Sequence, residues 1–203
     1  MLVFPAGVKL ATSTDIPVDP NLPELLARIN SAKIEPGYIV QHVEDTLFKN
    51  YIEANVNSQD IWALFNSLCH RLLPEKVQLV IGNGDEITFR SKSINKQKLL
   101  ELFEKFQFYL VNDCYLQFGL GSSSSVETIE IFVTPTKHFQ IWANRGDLLE
   151  DIMRSHDLPR VDSLQFINEF PRVTRQIEYD RGFYGYEDLL DHLIKSVSQL
   201  DRD

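Results

Sequence analysis

"QFGLGSSSSVETIEIF", residues 117–132, decides the fold, because its glycine- and serine-rich centre has two readings that lead to different proteins. A phosphate-cradling loop carries the chain from a strand into a helix, whose first amides and dipole meet the anion. Here the chain runs instead into "VETIEIFV", where Ile129, Ile131 and Val133 alternate with Thr128, Glu130 and Phe132. That is the period of a strand. No lysine follows the glycines, and Gly119-Leu-Gly-Ser-Ser is not the GxSxG elbow of an activated serine. Gly119 to Ser125 therefore reads as a hairpin connection.

Outward from this hairpin, the runs 107–120, 126–134 and 138–143 read as consecutive strands of an antiparallel meander. Upstream, "KVQLVIGNGDEITFR" holds a second hairpin at Asn83-Gly84, where positive φ comes easily. Residues 38–56 read as one or two further strands. Between these runs lie amphipathic helices. Ile61, Leu64, Phe65, Leu68 and Leu72 make one apolar stripe, and a helix starting near Ser93 buries Leu99, Leu102, Phe103 and Phe106. Asp147 opens another, with Glu150 three residues on as a capping box. Tyr186, Leu189, Leu190, Leu193, Ile194 and Val197 mark the last, ahead of a fraying Asp-Arg-Asp tail. A short helix is expected from Pro23 to Asn30, and a strand in "QFINEF" or "RVTRQIEY". Pro5, Pro17, Pro20 and Pro23 make residues 1–22 an extended arm, leaving 23–203 as a single α+β domain with a largely antiparallel sheet covered by helices.

The net charge of −9, from 20 basic and 29 acidic residues, sets the surface against nucleic acid and anionic lipid and favours a basic protein partner. No uncharged run approaches the roughly 18 residues of a membrane span. With no export signal in the first residues, a cytoplasmic location is expected. Cys69 and Cys114 stand apart as buried thiols. The five histidines, His42, His70, His138, His156 and His192, lack the spacing that places two imidazoles on one helix face, so neither a metal nor another cofactor is indicated.

Candidate binding residues come from two places. Asp147, Glu150 and Asp151 share one helix face, with Asp157 just beyond, and could pair with the lysines and arginines of a partner. In "YDRGFYGYEDLL", Tyr184 and Tyr186 sit among glycines and acids, a setting that suits interface anchors or, equally, rings that plug the end of the core. The competing reading is an enzyme with a dispersed site, built from His138 with Asp113 or Glu130. A structural or adaptor subunit is a third.

The run "FQFYLVNDCYLQFGLGSSSSVETIEIFVTPTKHFQIWANRGDLLEDIMRSHDLP" resembles, in its layout of a strand meander ending in an acidic helix, bacterial immunity proteins that neutralise polymorphic or contact-dependent inhibition toxins. The likeness spans about residues 45–170. It implies a non-enzymatic inhibitor that docks on a cognate toxin domain, often a basic nuclease, and it carries over no binding residue.

Overall fold

The computed structural model describes residues 1–200 except 18, 19, 46, 85 and 181. The chain folds as an α+β structure whose seven-stranded antiparallel sheet is built from three pieces. The expected meander lies at the centre as β6 (Leu116–Ser123), β7 (Thr128–Val133) and β8 (Phe139–Ala143). On one side it pairs with the hairpin β4 (Lys76–Asn83) and β5 (Glu86–Asn95), with Gly84 at φ 55° in the turn. On the other it pairs with the hairpin β2 (Gly37–His42) and β3 (Asn50–Asn55), so the strand order is β2-β3-β8-β7-β6-β4-β5.

Residue parity decides which face of the sheet is covered. Phe118 and Leu120, Ile129 and Ile131, Phe139 and Ile141, and Ile52 and Ala54 all point to one side and join one core with the helices. Helix α2 (Ile61–Leu72) links β3 to β4, which stand four strands apart in the sheet order, and packs against β7. That position accounts for the complete burial of Ile61, Leu64, Phe65, Leu68 and Cys69. Phe65 meets the Phe118 ring edge-on at 5.0 Å, and Phe103 meets it at 5.7 Å. Each side chain so buried is worth about 2 kcal/mol of hydrophobic free energy.

The remaining helices are α1 (Leu22–Asn30), α3 (Lys96–Glu104), α4 (Gln107–Asn112), α5 (Gly146–Ser155) and α6 (Tyr186–Leu200). Three expectations need correction. Ser93 stays in β5, and α3 is capped by Asn95, whose side chain accepts from the Lys98 amide at 3.2 Å. Residues 107–112 are helical, not extended. Their aromatic and β-branched composition suits a strand, but the 3- and 4-residue spacing of Phe106, Tyr109 and Leu110 buries one helical face, and tertiary packing overrides the local preference. Finally, α5 has no side-chain cap: Arg145 precedes it, and Glu150 turns away from the expected capping box.

The described part of the N-terminal arm alternates turns with one short strand. Val8–Leu10 (β1) pairs with Arg172–Thr174 (β9) in a separate two-stranded sheet. A 3-10 turn at Ile167–Glu169 precedes β9. Val8, Ile34, Cys114, Ile167 and Phe170 form a second, smaller core there. The tail at 201–203, expected to fray, lies outside the described residues. Among those residues no helix is long and apolar enough to cross a membrane.

Candidate functional site

The glycine stretch resolves into strand. Gly119 and Gly121 pair with Phe132 and Glu130, and a Cβ on Gly119 would stand 2.5 Å from the Ile131 carbonyl and 2.8 Å from the Phe132 ring. Gly119 is therefore glycine so that Phe132 can lie across β6. The actual turn is Ser124 to Glu127, where the Ser124 hydroxyl accepts from the Glu127 amide and its backbone closes the loop. The chain runs on into β7, with no helix following.

Two of the four carboxylates of the candidate acidic face on and beyond α5 are paired with the chain's own cations. Glu150 binds Arg160 at 2.6 Å and Asp151 binds Arg154 at 2.9 Å. Asp157 adopts φ 55° as the residue that ends α5, with its amide and that of Leu158 turned back to the Arg154 and Met153 carbonyls. Asp147 and Asp157 are exposed, with no ion pair among the described residues.

The tyrosine segment is elsewhere. Tyr186 stacks on Tyr115 at 5.0 Å beside Asn83, at the strand end opposite the one where α5 begins. The structure thus does not assemble the two halves of the candidate docking set into one surface. Tyr186 plugs the end of the core, whereas Tyr184 is 94% exposed. Its amide is held by the Asp188 carboxylate at 3.0 Å, which fixes the entry to α6. Five carboxylates, Glu178, Asp180, Glu187, Asp188 and Asp191, surround it in sequence, and all are exposed.

On the sheet face away from the large core, His138, Gln140 and Trp142 share one side of β8 and its lead-in, as their alternation suggests. A cleft of about 460 Å³ opens there, between the central strands and the β9 segment. His138 forms part of its wall, 5% exposed, with its ring against Phe166 at 4.7 Å. Burial pushes its imidazole down to about 4, so it is neutral at physiological pH. Thr134 Oγ1 accepts from the His138 backbone N–H at 3.3 Å and lies 2.9 Å from Nδ1. Thr136 Oγ1 lies 3.2 Å from the same nitrogen. The turn carrying these hydroxyls is pinned by Lys137, which has φ 64°, is 2% exposed, and sends its Nζ to the Leu116 carbonyl.

This arrangement does not join the residues of a dispersed active site. Asp113 is fully buried and accepts from Tyr179 Oη at 2.8 Å and the Tyr115 amide at 2.8 Å. Glu130 faces Arg90 at 3.5 Å and stands four residues along β7 from Thr134, about 13 Å by strand rise. Neither is bonded to His138. Burial raises the Cys114 thiol to about 11, which leaves it unreactive at neutral pH. Among the described residues no group of three potential metal ligands occurs. Sequence reasoning passed over Thr134, Thr136, Lys137 and Arg172. The signal within reach was "TPTKH", two hydroxyls flanking a proline turn just before a histidine.

Burial pushes the Lys137 ammonium down to about 8. Lys137→Met keeps the stem and removes the charge, so it is expected to stabilise the fold at pH 7 by about 2 kcal/mol in chemical denaturation. The wild-type protein should also gain stability as pH rises from about 8 to 10.5, where the unfolded chain holds the proton that the folded one releases. A less stable Lys137→Met protein would show that the Leu116 hydrogen bond outweighs the buried charge.

No protein-family model, curated protein or solved structure matches this chain.

Proposed function

We propose that this protein is a non-enzymatic binding module that docks a basic protein partner, in the manner of an immunity-type inhibitor covering a toxin domain. The observation that carries the reading is Tyr184, a tyrosine ring 94% exposed at the start of α6 among exposed carboxylates. A large amphipathic side chain held out on a backbone that Asp188 fixes loses little entropy on binding and suits an anchor role. Glu187 and Asp191 would steer the approach of lysine- and arginine-rich surface. The α5 carboxylates contribute less, because Arg154 and Arg160 already neutralise two of them.

Capture of the tagged chain from its native cells tests the reading. A partner rich in Lys and Arg should be retained and should elute with salt. Tyr184→Ala is expected to weaken it by at least about tenfold, and Glu187→Gln with Asp191→Asn to slow association and flatten its salt dependence. Asp147→Ala, Glu150→Ala and Asp151→Ala combined serve as the control, with little effect. Equal partner affinity in all these variants would remove the reading.

A further inference from the structure

The cleft beside His138 is unlike the rest of this acidic molecule. Among the described residues that line it there is no carboxylate, in a chain that carries 29. Among the described lining residues the one charged side chain is Arg172, one of whose terminal guanidinium nitrogens donates to the Asn168 carbonyl at 3.1 Å.

His138 supplies the second determinant. Thr134 Oγ1 already accepts a hydrogen from the His138 backbone, and its own proton finds Nδ1 as its nearest acceptor, the Thr136 hydroxyl being farther at 3.4 Å. With the Thr134 hydroxyl as the donor, Nδ1 accepts and the proton of a neutral ring sits on Nε2. Nε2 has no hydrogen-bond partner among the described residues. Among the described residues the fully enclosed side-chain polar atom that lacks a partner is Asn144 Oδ1, so Nε2 is not fully enclosed, and His138 lines the cleft. His138, Arg172 and Gln140 thus line the same cleft. Ile87 and Phe132 supply apolar wall for an organic body.

We propose that this cleft is a binding site for an organic carboxylate, with Arg172 pairing the anion, His138 Nε2 donating to one of its oxygens, and Phe132 and Ile87 packing the carbon skeleton. A single guanidinium without a helix N-terminus matches one negative charge rather than the two of a phosphate monoester. The volume, about 460 Å³, suits a small molecule. The carboxylate could belong to a free acid or to the C-terminus of a peptide. The site is independent of Tyr184, so the docking reading and this one can fail separately.

The experiment is an NMR titration of the full chain, uniformly labelled with ¹⁵N, at pH 7. It follows the His138 imidazole nitrogens and the Arg172 Nε–H, with benzoate as the free-acid probe and benzamide as its neutral match. N-acetylated Gly-Gly-Phe, with a free or an amidated C-terminus, probes the peptide source. The free protein should show Nε2 as the protonated nitrogen of His138. Benzoate, or the peptide acid if that is the source, should move both residues saturably, while the corresponding amide leaves them unmoved. Arg172→Gln should weaken the response by at least about tenfold, the loss of one charge-assisted fork, with its thermal midpoint near wild type. The proposal is overturned if neither acid gives a saturable shift below about 10 mM. It is equally overturned if the amides act as strongly as the acids, or if Arg172→Gln binds as tightly as the wild type.

Discussion

Acidification from pH 6.5 to pH 4 is expected to remove about 3 kcal/mol of folding stability through His138 alone. The unfolded chain takes up a proton near the ordinary histidine value of 6.5, whereas the folded chain keeps the buried ring neutral down to about 4. Protons therefore favour the unfolded state throughout that window. The contribution is complete above 6.5 and is lost as pH falls through it. The cause is burial of the ring, which penalises the imidazolium. Urea denaturation of wild type and His138→Gln at pH 7, 5.5 and 4 reads the effect as a difference of slopes. Other groups titrate equally in both proteins and cancel, so parallel pH profiles would sink the expectation.

A second large effect comes from one methyl group. Gly119→Ala would ordinarily stabilise a strand by about 0.5–1 kcal/mol, since glycine loses the most backbone freedom on folding. Here the added carbon would stand 2.5 Å from the Ile131 carbonyl and against the Phe132 ring. The backbone of the central hairpin has to give way, and the expected result is a loss of about 3 kcal/mol, with Phe132 displaced from the cleft wall. Ser124→Ala, in the neighbouring turn, removes only exposed hydrogen bonds and should cost less than about 1 kcal/mol. A stabilised Gly119→Ala protein would mean that β6 and β7 are not packed as described.

The candidate site was legible in fragments. The shared side of His138 and Trp142 follows from strand period, because alternation survives whatever covers the sheet. The neutral state of His138 was not legible, because it depends on Phe166 and on burial supplied by a segment about thirty residues downstream. The acidic helix shows the opposite limit. Helical spacing puts Asp147, Glu150 and Asp151 together, but Arg160 reaches Glu150 from beyond the helix end, and only the fold could supply that cation. Likewise Asp157 looked like part of a charged face and serves as the residue that terminates α5.

By itself the sequence determined the local elements. Period-two alternation at Ile129, Ile131 and Val133 made a strand of what followed the glycines, Asn83-Gly84 made a hairpin, and the α2 stripe made a buried helix. These are short-range consequences of side-chain direction and turn geometry. Tertiary structure decided the rest. Two hairpins docked on opposite edges of the meander, because β3 pairs with β8 about 90 residues later and no local rule encodes that partner. It made a helix of residues 107–112 against their composition, and it turned the glycines into room for Phe132. It also set Phe166 against His138 and made a cleft out of residues that sequence scatters across four segments. The physical reason is the same in each case: burial, and the pairing of buried polar groups, are properties of what packs against a residue, and that is fixed only when the whole chain has closed on itself.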